Sequence, residues 1–182
     1  MNPCFIRFAG LMFALLAQGL SAQPELFSAI GERLSYMQDV ALYKSLNGLP
    51  VDDPAREALV LDRALDDARY AGLDPVTVEA FFEAQIALAK VIQYRYLADL
   101  QTHEADRAAV DLPSVVRPKL IALGALIIDR IADSLAASGP ITDSQFDAFV
   151  EELDLDYLTA REQRLLFDAL KQVRLNSQFD AP

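Results

Sequence analysis

The chain has 182 residues, enough for one domain or two small ones, and 53% of them are hydrophobic, which allows a substantial core. Glycine is scarce, with seven residues, and tryptophan is absent, a composition that favours an all-helical protein. The formal net charge of −11 argues against nucleic acid as a partner, because a phosphate-binding surface needs clustered Lys and Arg side chains.

The N-terminal residues 1–22 are predicted to be an export signal. Arg7 supplies the positive start, residues 8–16 are mostly apolar, and Leu20-Ser21-Ala22 offers small side chains for cleavage. The apolar run is too short for a permanent membrane-spanning anchor, although an uncleaved anchor remains the alternative. Cleavage would release residues 23–182 as a periplasmic or secreted protein that is not attached to a membrane.

The first predicted helix covers residues 25–50 and ends at the turn Asn47-Gly48-Leu49-Pro50. Apolar residues recur along it at steps of three and four, at Leu26, Ile30, Leu34, Met37 and Ala41. Two cations, Arg33 and Lys44, lie roughly three helical turns apart, about 16 Å along the axis and about 20° around it. Lys44 occupies a position where this apolar stripe would continue. Such a lysine either extends to solvent or binds an anion.

Five further helices are predicted, over about 54–71, 76–102, 113–137, 143–153 and 160–174. The pairs Asp53-Pro54 and Asp74-Pro75 each combine an N-cap with proline at the first helical position. Capping boxes begin the last two helices. No strand, glycine-rich phosphate loop or metal cluster is recognisable. The prediction is therefore an all-α, single-domain bundle of about six helices, with three long core helices and a C-terminal helical half.

Few residues in the sequence suit covalent catalysis. The only cysteine, Cys4, lies in the predicted signal, and the only histidine, His103, lies in a polar connection. This argues against Cys–His and Ser–His–Asp nucleophiles, and against thiolate metal ligands. Acidic residues are plentiful, but most fall on helix faces that would be solvated.

Basic residues at positions where apolar ones would pack are more informative. They are Arg33, Lys44, Arg56 and Arg117. Each alone is more readily explained as a surface residue, but together with Gln93 they predict a pocket for a small anion. Gln85 and Gln93 both occupy core-like positions of the 76–102 helix, where buried amides need hydrogen-bonding partners.

The order of these residues resembles the all-helical class of chorismate mutases. The resemblance is carried by the segments ERLSYMQDVALYK, DDPAREALVL and AGLDPVTVEAFFEAQIALAKVIQY. The later segment DLPSVVRPKL is similar to the exported branch of that family. The similarity covers a core over residues 25–101, and it continues more loosely through a C-terminal half over 112–175.

The resemblance implies a reaction and a set of roles. The reaction is the Claisen rearrangement of chorismate, a dicarboxylate, to prephenate, an isomerisation in aromatic amino acid biosynthesis that needs no metal or organic cofactor. The implied roles are carboxylate binding by Arg33, Arg56 and Arg117, donation to the ether oxygen by Lys44 and Gln93, and acceptance from the ring hydroxyl by Glu57. A homodimer with each active site inside one subunit is also implied.

One position departs from the family pattern. A Ser, Thr or Asn usually lies four residues before the glutamine, and here that position is Ala89. A water or Lys90 could compensate, although Lys90 should point about 100° away from Ala89 around the helix. Ala89 favours the alternative of an exported helical protein of the same fold that binds another small anion or a partner without catalysis. A plain helical interaction module would leave the ordered cations unexplained.

Overall fold

The computed structural model describes residues 15–105 and 107–176, with side chains from Gln23 onward. Residues 1–14 of the predicted export signal lie outside the described residues. The described α-helices are α1 (Leu15–Ser35), α2 (Met37–Leu46), α3 (Pro54–Tyr70), α4 (Pro75–Asp99), α5 (Arg117–Ser138), α6 (Phe146–Glu152) and α7 (Ala160–Leu170). A π-helical turn, Leu112–Val116, precedes α5, and a 3-10 turn, Asp143–Gln145, precedes α6. The predicted all-α class is confirmed.

Local capping sets the starts of α3 and α4 as the sequence predicts. The Asp53 carboxylate accepts a hydrogen bond from the Arg56 backbone N–H at 3.1 Å, and Asp74 accepts one from the Val76 N–H at 3.1 Å. Each cap is followed by proline at the first helical position, where its missing N–H costs nothing. Gly72 adopts a φ of +73° after α3, which glycine accepts without strain.

The prediction of one continuous first helix is wrong. The helix breaks at Tyr36, so Arg33 lies on α1 and Lys44 on α2. The two segments have different packing partners, since α1 lies mainly along α5 and α2 lies along α4. The break therefore coincides with a change of packing partner, and no pattern within residues 25–50 contains that information.

The predicted start of the fourth helix, at about residue 113, is also wrong. Residues 112–116 form a π-helical turn, and α5 begins at Arg117. Asp111 caps this turn by accepting from the Ser114 backbone N–H at 2.8 Å. Pro118 has no N–H to donate to the Ser114 carbonyl, so a regular α-helix cannot run unbroken through this region. The helices α4 and α7 also end earlier than predicted, at Asp99 and Leu170.

The C-terminal half packs onto the core instead of forming a separate unit. The rings of Phe27 and Phe149 lie edge to face, with centroids 5.3 Å apart, and the Phe149 and Phe167 centroids are 5.0 Å apart. These contacts join α1 to α6 and α7. At Gly31 a Cβ atom would lie 2.2 Å from the Glu152 carbonyl oxygen, so only glycine permits this approach. The described helices include none that is long and apolar enough to cross a membrane.

Candidate active site

A cavity of about 260 Å³ lies between α1, α2, α3, α4 and α5. All of the side chains predicted from the sequence to form a site line it, namely Arg33, Lys44, Arg56, Glu57, Gln93 and Arg117. They come from five different helices, so the bundle as a whole positions them. Among residues 23–105 and 107–176 no group of His, Cys, Asp and Glu side chains is arranged to hold a metal ion.

Arg33 is fixed at one side of the cavity by α5 and α4. Its Nη1 donates to the Leu120 carbonyl at 2.8 Å, and its guanidinium lies 6.0 Å from the centre of the Phe82 ring. Burial, and then the nearby charge of Arg56, lowers the pKa of Arg33 to about 10. The side chain is therefore still cationic at neutral pH, in surroundings that offer it little charge compensation.

Lys44 is buried, with 8% of its surface exposed. Its Nζ donates to the Val51 carbonyl at 2.8 Å, which joins α2 to the loop before α3. Burial lowers the pKa of Lys44, and the charge of Arg117 adds to that effect, whereas the Asp53 carboxylate opposes it. Desolvation thus dominates at this lysine.

Arg56 and Arg117 add two further charges to the same cavity. Burial lowers the pKa of Arg56, and the neighbouring cations Arg117 and Arg63 lower it further. Across the described residues, none of Arg33, Lys44, Arg56 and Arg117 has a carboxylate within ion-pair distance. The lining also contains the carboxylates of Asp53, Glu57 and Asp67. Cations outnumber them, so an anionic ligand would be stabilised in the cavity.

Gln93 lies on α4 with 5% of its surface exposed. Its Nε2 donates to the Ala89 carbonyl at 3.1 Å and lies 3.8 Å from the Met37 sulfur. Its Oε1 is buried and has no hydrogen-bond partner among the described residues. One N–H donates to the Ala89 carbonyl and the other meets only the weak acceptor sulfur of Met37, so this second donor can turn to a ligand in the cavity at little cost.

Glu57 belongs to a polar network at the edge of the cavity. The Lys90 ammonium lies 3.1 Å from the Glu57 carboxylate and 3.3 Å from that of Asp52, and the Tyr94 hydroxyl donates to Asp52. The hydrogen bonds and charges of both carboxylates raise the pKa of Lys90. Lys90 is therefore engaged with acids and is not a free donor next to Ala89.

Sequence reasoning did not find the Asp52–Lys90–Tyr94 part of this network or the Val51 carbonyl. Asp52 and Val51 lie in the loop between α2 and α3, and their distance from α4 depends on how the helices pack. The spacing of Lys90 and Tyr94, one helical turn apart, was a signal that these two side chains share a face. The sequence does not show that the Asp52 carboxylate contacts both of these side chains.

Comparison with known proteins finds similarity to chorismate mutases over most of the chain. A family model described as "Chorismate mutase type II" matches residues 24–94. The chain is 31% identical over 171 residues to a monofunctional chorismate mutase of Enterobacter agglomerans, covering 94% of this chain and 91% of the relative. It is 34% identical over 146 residues to a secreted chorismate mutase of Yersinia pestis, covering 80% and 78% respectively. The crystal structure of the secreted chorismate mutase from Yersinia pestis matches 83% of this chain and 97% of that chain, with a TM-score of 0.78.

Proposed function

This chain belongs to the type II chorismate mutase family of isomerases, and we propose that its cationic cavity is where it rearranges chorismate to prephenate. The observation that carries the proposal is a convergence on one cavity of about 260 Å³. The Gln93 amide lines it together with four cations that have no ion-pair partner among the described residues. The reaction is intramolecular. The ether C–O bond breaks, a C–C bond forms, and no proton or electron leaves the substrate.

The proposed first task of the site is to hold the substrate in a compact conformer. A guanidinium can bind a carboxylate through two parallel hydrogen bonds, which fixes both the position and the plane of the anion. Arg33, Arg56 and Arg117 would bind the two carboxylates in this way. Holding the two reacting ends together removes much of the entropic part of the barrier.

The second task is to stabilise charge that develops during bond breaking. Negative charge grows on the ether oxygen only in the transition state, so donors aimed at that atom lower the barrier without tightening substrate binding equally. Lys44 and Gln93 would be these donors, with the Lys44 ammonium turning from the Val51 carbonyl to the substrate. Each such donor is typically worth about 3–4 kcal/mol of barrier.

Glu57 would accept a hydrogen bond from the ring hydroxyl of the substrate. Its Oε2 accepts a hydrogen bond from the Lys90 ammonium at 3.1 Å. Its Oε1 lies 3.4 Å from the Asp53 backbone nitrogen, a long contact that leaves this oxygen available.

Export is supported by the Yersinia relative, which is named a secreted chorismate mutase. We propose that residues 1–22 are a cleaved signal and that residues 23–182 function in the periplasm or outside the cell. We also propose a homodimer in which each cavity lies within one subunit, since all of the proposed site residues come from one chain. Sedimentation of the mature protein tests the dimer, and N-terminal sequencing after export tests the cleavage site.

Ala89 is the observation that favours a second candidate, a protein of this fold that binds a different small anion without catalysis. Purified mature protein should consume chorismate with loss of its ultraviolet absorbance, at a rate proportional to protein concentration. Circular dichroism supplies the control for folding. Helical, monodisperse protein that leaves chorismate unchanged would reject the first candidate, and binding of another small anion by that protein would support the second.

A further inference from the structure

Gln85 is a buried amide whose partners are missing. Its side chain is 1% exposed, and neither Nε2 nor Oε1 has a hydrogen-bond partner among the described residues. Such an amide costs folding free energy, because it loses its hydrogen bonds to water and gains none in return. A glutamine retained at this cost in the wall of a binding cavity indicates a role other than packing.

The position of Gln85 on α4 relates it to the proposed site. Gln85, Ala89 and Gln93 follow one another at four-residue steps, so they lie on one face of α4, and all three line the cavity. Phe82, one turn before Gln85, lies beneath the Arg33 guanidinium. Gln85 is therefore on the side of the cavity that Arg33 occupies, with the small Ala89 side chain between it and Gln93.

Lys90 does not fill the space left by Ala89, because its ammonium is paired with Glu57 and Asp52. We propose that Gln85 is a substrate-binding residue whose Nε2 donates to the substrate carboxylate held by Arg33, one helical turn from where the family's polar side chain would be. This inference rests on the proposed function. Both amide atoms are buried, so donation requires the side chain to rotate into the cavity it lines.

The proposal predicts that removing the Gln85 amide weakens substrate binding but does not reduce the stability of the fold. Gln85→Met removes the unpartnered amide at nearly constant volume, so the melting temperature should stay the same or rise. The same variant should raise KM for chorismate about 10- to 100-fold, the range for a lost hydrogen bond to a charged group, with kcat much less affected. A purely structural amide would produce a loss of stability and no change in KM.

Gln163→Met is the matched control. Gln163 is also buried, at 7% exposure, but its Nε2 donates to the Leu153 carbonyl at 2.8 Å, and it does not line the cavity. Its replacement should lower the melting temperature and leave KM unchanged. In the Gln85→Met background, Ala89→Ser should recover part of the lost affinity, because both polar groups would serve the same carboxylate.

A second variant keeps the test decisive if Gln85→Met folds poorly. Gln85→Leu also removes the amide and keeps an apolar side chain of similar size, so it should raise KM by a similar factor. Wild-type KM in Gln85→Met, or a stability loss matching that of Gln163→Met, would overturn the inference while wild-type turnover keeps the proposed function intact. Absence of turnover in the folded wild-type protein would instead overturn the proposed function.

Discussion

Replacement of Lys44 by methionine tests the proposed role of the Lys44 ammonium as a donor to the ether oxygen of the substrate. Methionine keeps the unbranched shape of the lysine stem, and the site is 8% exposed, so packing in α2 should be preserved. The variant loses one aimed donor, worth about 3–4 kcal/mol of barrier, and kcat should therefore fall about 10²–10³-fold. The variant also loses the hydrogen bond from Nζ to the Val51 carbonyl, so its melting temperature is measured beside kcat to separate a loss of stability from a loss of catalysis.

The assay is steady-state loss of chorismate absorbance, with circular dichroism and a thermal melt on each variant. Lys119→Met is the matched control, since Lys119 is an exposed lysine of α5 that does not line the cavity and lies 5.3 Å from the Tyr36 ring centre. It should keep the wild-type kcat. Near-wild-type kcat in a folded Lys44→Met protein would refute the role assigned to Lys44.

Two further predictions concern pH. Burial lowers the pKa of Arg33 to about 10 and also lowers that of Lys44, so kcat/KM should fall as rising pH deprotonates these cations. A value of kcat/KM that does not fall as pH rises past about 10 would contradict this. Glu162 pairs with Arg95 at 2.7 Å, which lowers the pKa of the carboxyl from 4.5 in the unfolded chain to about 2. Its stabilisation is thus present above pH 4.5 and is lost as pH falls towards 2, so Glu162→Gln should cost about 1–3 kcal/mol of unfolding free energy at neutral pH and almost none near pH 2. Urea titrations at several pH values measure this, and an equal cost at all pH values would exclude the ion pair as its source.

Features set by neighbouring residues were predictable from the sequence. The starts of α3 and α4 depend on Asp53-Pro54 and Asp74-Pro75, where cap and proline act within one helical turn. The break at Tyr36 and the π-helical turn before Arg117 were not predicted. The first accompanies the packing of α1 and α2 against different helices. The second follows from Pro118, a local signal that the predicted helix start at about residue 113 overlooked.

In the candidate site, too, some features were predictable from the sequence and others depend on how the helices pack. Arg33, Lys44 and Gln93 stand out in the sequence because polar groups interrupt apolar stripes, and the structure places all three around one cavity. Their partners in the folded chain were not foreseeable, since the Val51 and Leu120 carbonyls come from segments distant in sequence or without pattern. The roles of the site residues remain predictions that the kinetic variants test.

Gln85 illustrates what only the structure adds. The sequence marks it as a polar residue at a core position, and helix geometry places it on the face shared with Gln93. Whether a buried amide is satisfied depends on every neighbour, and the absence of a partner among the described residues changes its interpretation from a core residue to a ligand-binding one.

The most direct test of the central claim is product formation by the wild-type mature protein. Proton NMR of chorismate incubated with the protein should show prephenate appearing mole for mole as chorismate disappears, at the same rate with and without a metal chelator. Folded protein that forms no prephenate, or a rate that the chelator abolishes, would contradict an electrostatic rearrangement in the cavity between α1, α2, α3, α4 and α5.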